Sequence, residues 1–321
     1  MKRIIFSFSA IAALLLMTYL GAGYAMYDKL SKVTPGGGES AVNTPASFKV
    51  FGIPRFADFD ATPYLMPEYE SVRFPSREKN ITLAGWYAPG DPAAPVVILT
   101  HGLDSCKCNQ EVLIPAGMLH RNGFNVLLYD LRNHGESDSD GGRTAIGNKE
   151  YLDLLGAWDW LVTEKGFAPE HIGIFGDSLG SGTSLIAFGE EPRLAAAWVD
   201  SPYFDLRAAI DEELARNHYP AQLVYGGLFM ARVVGGVDLL AHSPQKAIVN
   251  DAGRPIFVVH SPGDTRLNVH HSRDLVQLAQ QYGANVTAWF PEGIDHVQAC
   301  LQLPGEYEQR LVAFFSAALA K

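Results

Sequence analysis

From about Ser71 onward, short apolar runs alternate with amphipathic stretches. ITLAGWYA at 81–88 switches between apolar and small or polar positions, as a half-buried strand does. PVVILT from Pro95, NVLLYD from Asn125, HIGIF from His171, AAAWVD from Ala195, PIFVVH from Pro255 and NVTAWF from Asn285 are nearly continuous in hydrophobicity. Strands covered on both faces of a parallel sheet carry that pattern, because each side chain meets a packed layer whichever way it points. Between them lie helical repeats. Leu152, Leu155, Trp158 and Leu161 recur at helical spacing, and the stretches from Arg273 and from Tyr307 behave the same way. The alternation predicts an α/β fold: a doubly wound, mostly parallel sheet with helices on both faces.

Two segments break the rhythm. Residues 203–249 hold no strand pattern but are rich in apolar and aromatic residues, with glycine pairs at Gly226–Gly227 and Gly235–Gly236. They predict a small helical insertion acting as a lid over the mouth of the sheet, or else two ordinary surface helices. At the other end, Lys2 and Arg3 precede an uncharged stretch, 4–27. A membrane-spanning helix needs roughly 20 apolar residues, whereas a cleaved leader has an apolar region of about 7–15. Residues 1–30 therefore predict a membrane anchor, with a cleaved signal as the alternative because Gly23 and Ala25 supply small residues for a cleavage site. Both readings export the rest of the chain, since the cationic end stays in the cytoplasm and the body lies on the periplasmic or extracellular side. Residues 31–47, with three consecutive glycines, predict a flexible tether. Residues 48–321 form the main domain, of which 48–75 is aromatic and broken by prolines, with no regular element assigned.

Composition narrows the function classes. With 321 residues, 47% of them hydrophobic and 19% charged, the chain buries a sizeable core without needing a metal or disulfides. A formal charge of −10 with no run of lysine or arginine argues against nucleic acid as a partner.

The chemistry starts at Gly176-Asp177-Ser178-Leu179-Gly180, a G-x-S-x-G motif. Alone it is a weak signal, but here it follows the strand pattern HIGIF and opens the helical stretch SLGSGTSLIAFG. A strand–turn–helix setting is what a nucleophile elbow requires: small flanking residues permit a strained turn that pushes the serine hydroxyl out at the sheet's C-terminal edge. Ser178 then lies at a helix N-terminus, where backbone N–H groups stabilise negative charge. The competing reading is a tight turn with a capping serine.

HGLDS at His101, YDLRNHGES at Tyr129, GDSLGSG at Gly176, HSPGDTRLNV at His260 and PEGIDHV at Pro291 occur in one order along the chain. On these pieces the sequence resembles the α/β-hydrolase superfamily, particularly its prolyl-oligopeptidase-like and serine-aminopeptidase-like esterase branch. The resemblance implies Ser178 as nucleophile, Asp264 as acid and His296 as base, in the chain order Ser…Asp…His. A serine hydroxyl needs such a base because it does not ionise at neutral pH. The N–H of Leu179 and, by resemblance to HG-x loops, that of Leu103 would hold the oxyanion. Asp200, at the end of an earlier strand, is a second candidate for the acid. Asp295 is adjacent to His296 and poorly placed to reach the outer ring nitrogen, Asp177 reads as structural, and His101 and His134 read as supports of loop geometry. His270 and His271 open a helical stretch and are expected at the surface.

No cofactor and no metal is implied, and Cys106-x-Cys108 is not a zinc spacing. Export permits a disulfide from Cys300 to Cys106 or Cys108, since all three follow loops at the same end of the sheet. The expected reaction is hydrolysis of a small carboxylic ester or acyl substrate. The alternatives are a peptidase, aminopeptidase or amidase of the same fold and, from another class, a non-catalytic membrane-tethered binding module.

Overall fold

The computed structural model describes residues 2–34 and 38–319. In chain order its elements are α1 (Lys2–Ser31), β1 (Glu70–Pro75), β2 (Thr82–Ala88), β3 (Val96–Thr100), α2 (Gln110–His120), β4 (Asn125–Tyr129), α3 (Tyr151–Thr163), β5 (Ile172–Asp177), α4 (Leu179–Glu190), β6 (Ala196–Asp200), α5 (Leu206–Arg216), α6 (Leu223–Val233), α7 (Gln245–Val249), β7 (Ile256–Val259), α8 (His270–Tyr282), β8 (Val286–Trp289), α9 (Ala299–Gln302) and α10 (Pro304–Leu319). They fall into two compact units: one of Val33–Asp205 with His242–Lys321, the other of Met1–Lys32 with Leu206–Ala241.

The larger unit is built on an eight-stranded sheet in the order β1-β2-β4-β3-β5-β6-β7-β8. β2 pairs antiparallel with both β1 and β4, and every pairing from β4 to β8 is parallel. β3, β4, β5, β6 and β7 are buried along their whole length, which is why their sequences show hydrophobic runs and no alternation. β3 pairs with β4 on one side and β5 on the other, so the winding reverses there. Crevices at such a reversal, outside the C-terminal strand ends, are where open α/β sheets place their sites.

One strand escaped the sequence pattern. β1 is an edge strand in which only Phe74 is buried, so it carries almost no hydrophobic periodicity. The segment before it is also more ordered than its prolines suggest, with Phe48, Val50, Tyr64 and Met66 packed into the main core. The expected tether differs too. Residues 35–37, which include two of its three glycines, lie outside the described residues, but both flanks are docked. Val33 is buried and its N–H donates to Gly142 O at 3.0 Å, while Thr34 N–H donates to Asp104 Oδ1 at 2.7 Å. On the far side Asn43 is buried and donates to the carbonyls of Lys49 and Cys108.

The smaller unit is helical. α5 and α6 form in the segment that lacks strand pattern, and α6 packs against α1. The insertion is shorter than the expected 203–249. Residues 203–205 and 242–249 belong to the sheet unit, where α7 packs on α4. Gly23 and Gly226 let α1 and α6 meet backbone to backbone, since a Cβ on Gly23 would stand 2.8 Å from the Gly226 carbonyl carbon. Tyr19 hydroxyl donates to Gln222 O at 2.9 Å, and Lys29 Nζ donates to Tyr219 Oη at 2.9 Å. Leu14, Leu15, Leu16 and Met17 of α1 are exposed.

Candidate active site

The turn after β5 is strained as an elbow must be. Ser178 sits at φ 47°, ψ −113°, outside the regions that a side chain favours, at a cost of order 1–3 kcal/mol. Two glycines make the turn possible. A Cβ on Gly176 would run into the Gly180 backbone, and one on Gly180 would strike the carbonyl of Thr100 on β3. The strain is held by hydrogen bonds. Ser178 N–H donates to Asp200 O at 2.9 Å, and the buried Ser181 hydroxyl lies within reach of the carbonyls of Gly176 (2.7 Å) and Asp200 (2.6 Å).

Ser178 Oγ lies 2.8 Å from His296 Nε2, and His296 Nδ1 lies 2.7 Å from Asp264 Oδ2. The three groups come from the turns after β5, β7 and β8, so parallel strand ends bring together residues far apart in sequence. Asp264 is almost wholly buried, with 1% of its side chain exposed. Burial by itself pushes its carboxyl up, but His260, His296 and the Leu267 N–H bond the charged form and hold it below the ordinary carboxylate range. Its Oδ1 accepts the N–H groups of Arg266 and Leu267 at 2.7 and 2.8 Å, which leaves Oδ2 for the imidazole.

Asp200 is not connected to His296 by a hydrogen bond. Its Oδ2 accepts the Tyr307 hydroxyl at 2.9 Å and its Oδ1 accepts the Ser201 hydroxyl at 3.0 Å. Burial raises its carboxyl to about 6, with those two donors working the other way. Asp295 faces the next loop, its Oδ1 accepting from Thr265 N–H and Oγ1 and from the His296 N–H. Asp177 is buried against Gly102, where a Cβ would stand 2.9 Å from its Oδ1, and burial followed by the nearby Glu111 and Asp200 raises it well above the ordinary range.

That contact puts the loop holding Leu103 directly beside the elbow, since the same Gly102 position is 3.3 Å from Ser178 Cβ. Leu179 is the first residue of α4. Among the described residues, neither the Leu103 nor the Leu179 N–H has a backbone acceptor outside the regular elements. His101 supports the loop from below. It is fully buried, its Nδ1 lies 2.7 Å from Gly102 O and its Nε2 accepts the Leu131 N–H at 3.0 Å, which fixes the Nδ1–H tautomer. His134 rests edge-on against its ring. His271, expected at the surface, is instead buried.

Two side chains that the motifs alone did not single out tie this assembly together. His260 Nε2 lies 3.2 Å from Asp264 Oδ2 while its Nδ1 meets the Ser272 hydroxyl at 2.7 Å. Ser261 Oγ accepts the N–H groups of both Gly263 and Ile294, and so joins the acid loop to the base loop. Both belong to the HSPGD stretch, so the signal was present, but nothing local distinguishes a support from a bystander.

The cysteine pairing corrects the sequence expectation. Cys106 is bonded to Cys108, with Cα atoms 5.0 Å apart, and Cys300 is a buried free thiol. That separation is one a disulfide spans, and between the pair Lys107 donates to Asp130 and to Glu136, each at 2.6 Å. Cys300, on α9, lies in the core cluster that also holds Cys106 and Cys108, and burial raises its thiol well above the ordinary value.

The sheet and its neighbours define the α/β-hydrolase fold. Residues 115–321 match the model of the prolyl oligopeptidase family, and the chain belongs to that family. An esterase of Pyrococcus furiosus, Pf2001, superposes with a TM-score of 0.60 at 26% identity, over 78% of this chain and 93% of the esterase. The acylaminoacyl peptidase of Pyrococcus horikoshii gives a TM-score of 0.58 at 20% identity, over 79% of this chain and 42% of the peptidase, a likeness of fold alone. A thiohydrolase of Aspergillus aculeatus, aneE, is 31% identical over 119 residues, 36% of each chain. The matches span 36% and 45% of the lengths of the first curated relatives.

Proposed function

We propose that the protein hydrolyses carboxylic esters through an acyl-enzyme on Ser178. The observation that carries this reading is the hydrogen-bonded line from Ser178 Oγ through His296 to Asp264, with the serine on a strained turn at the start of α4. In the first step Oγ attacks the carbonyl carbon while His296 Nε2 takes the hydroxyl proton. The carbonyl oxygen becomes an oxyanion, held by the N–H groups of Leu103 and Leu179. Asp264 keeps the imidazole in the Nδ1–H tautomer and stabilises its cationic form. The C–O bond to the leaving alcohol then breaks as His296 returns the proton to that oxygen. Water repeats the sequence, attacking the acyl carbon with His296 as base and freeing the acid and Ser178.

Support for an ester over an amide comes from the neighbours. The Pyrococcus furiosus esterase is matched over 93% of its length, the acylaminoacyl peptidase over 42%. A panel of p-nitrophenyl esters beside aminoacyl nitroanilides tests the choice, and higher kcat/KM on the nitroanilides would reverse it. A folded protein whose Ser178 fails to react with a fluorophosphonate probe would remove the hydrolase mechanism and leave the binding-module reading.

The same proposal places the body outside the cytoplasmic membrane with α1 retained as its anchor. Ser9–Ser31 of α1 is long and apolar enough to cross a membrane. Cleavage near Ala25 would remove Gly23 from its contact with Gly226, a contact fitted on both sides by glycine. Sequencing of the mature N-terminus tests retention.

A further inference from the structure

The smaller unit exposes more apolar surface than a helical pair in water would tolerate. On α6, Tyr225, Phe229 and Val233 lie at i, i+4 and i+8, along one face, and are 62%, 50% and 62% exposed. Val234 and Leu240 beyond the helix continue the patch at 55% and 46%. Val224 and Ala231, on the far side of the helix, are buried, and so is Gly226 at the contact with α1. A helix with one apolar face packed and a second apolar face bare is built for a non-aqueous neighbour.

The packing fixes which neighbour. α6 meets α1 at Gly23, and the uncharged stretch of α1 begins at Ile4. A helix rises about 1.5 Å per residue, so Gly23 stands about 30 Å along the helix from Ile4, the thickness of a hydrocarbon core. With Lys2 and Arg3 on the cytoplasmic side, the contact between α1 and α6 falls at the outer boundary between acyl chains and headgroups. The side chains around it match that level. Tyr19 and Tyr24 of α1 and Tyr219 and Tyr225 of the insertion are all exposed, and tyrosine collects at this boundary. The guanidinium of Arg207 lies 4.5 Å from the Tyr225 ring centre, and Lys29 Nζ 4.8 Å from that of Tyr219, so cations cap the aromatic rings where headgroups begin.

We infer that the face of α6 carrying Tyr225, Phe229 and Val233 is a membrane-contact surface that enters the outer leaflet's headgroup–acyl boundary beside α1. The occupant of the patch is the lipid bilayer itself. Helices of this kind bury their apolar face about 5–10 Å into that boundary. The inference rests on the reading that α1 is a retained anchor, and its test separates the two.

The full chain is reconstituted in phosphatidylglycerol–phosphatidylethanolamine vesicles with an environment-sensitive NBD probe on Phe229→Cys, and separately on Tyr225→Cys. Gln245→Cys, exposed on the sheet unit, is the control. The buried Cys300 and the bonded Cys106 and Cys108 leave the introduced thiol as the labelling site. The expected result is blue-shifted emission at 225 and 229, quenched several-fold more by lipids spin-labelled near the headgroup than the control is, in variants that keep the parent's thermal transition. Protein that floats with the vesicles after alkaline washing but shows water-like emission at both positions overturns the inference and leaves the anchor standing. Protein that washes off with an N-terminus near Ala25 overturns both. Cross-linking between copies of unlabelled Phe229→Cys that persists as the lipid-to-protein ratio rises would assign the face to a second copy of the chain, and overturn it as well.

Discussion

The turns after β6 and β7 are neighbours in the sheet, and each holds a buried aspartate within reach of the Ser178 neighbourhood. Their electrostatics are opposite. After β7, Asp264 accepts from His260, His296 and the Arg266 and Leu267 N–H groups, and its charge is favoured despite burial. At the end of β6, Asp200 accepts from two neutral hydroxyls, and burial wins, lifting it to about 6. Equal burial therefore does not make equal acids. The number and charge of the donors decide which carboxyl stays ionised and can stabilise an imidazolium, and which serves as a hydrogen-bonded brace for the elbow through its backbone carbonyl.

Substitutions at the two turns separate their roles. The largest expected effect is at the residue both turns serve: Ser178→Ala should lower kcat on the order of 10⁶-fold with the fold intact, read with a p-nitrophenyl ester. Asp264→Asn comes next. An amide at that position loses the charge and misdirects the imidazole tautomer, and the loss should be about 10⁴-fold in kcat. Asp200→Asn should cost under about 10-fold in the same assay, as a group that does not touch His296. Equal losses for the two would refute the division between them.

The two aspartates also contribute oppositely to stability as pH changes. Asp200 binds its proton more tightly when folded, so between its ordinary 3.8 and about 6 the folded state holds more protons than the unfolded one. Its contribution to stability therefore falls as pH rises through that window and stays at its lowest above it. Asp264, depressed, acts in the other sense: its contribution is present above the ordinary carboxylate value and is lost only as pH falls through its lower folded value. Urea midpoints of the parent and of Asp200→Asn at pH 4 and pH 7 test this, and the variant should lose less stability over that rise in pH. The smallest effect is expected at Asp295→Ala, which removes the acceptor for Thr265. It should cost about 1–2 kcal/mol of stability and under about 10-fold in kcat, because its side chain bonds no ring nitrogen of His296.

Ser178 could be read because the elbow is a local device: strand, small residues, serine, small residue and helix lie within one short stretch, and the steric need for Gly176 and Gly180 is written beside it. The parallel strands were legible for a similar reason, since burial on both faces leaves a hydrophobic run wherever it occurs. β1 was not, because an edge strand with one buried residue leaves no period to detect. His260 and Ser261 were visible as residues of a motif but not as supports, because their partners Asp264 and Ile294 are chosen by the way two loops meet.

The chain by itself determined the alternating elements and the strained serine turn, consequences of steric and solvation patterns within a few residues; the proposed order Ser178, Asp264, His296 was implied by the family resemblance. Tertiary structure alone decided which of the three carboxylates meets the imidazole, that Cys106 closes on Cys108 and leaves Cys300 free, and that the N-terminal helix packs on the inserted one through Gly23 and Gly226. The carboxylate and helix contacts depend on distances between segments far apart in sequence, which only the packed sheet and helices bring within a few ångströms, whereas the disulfide depends on the conformation of a three-residue loop.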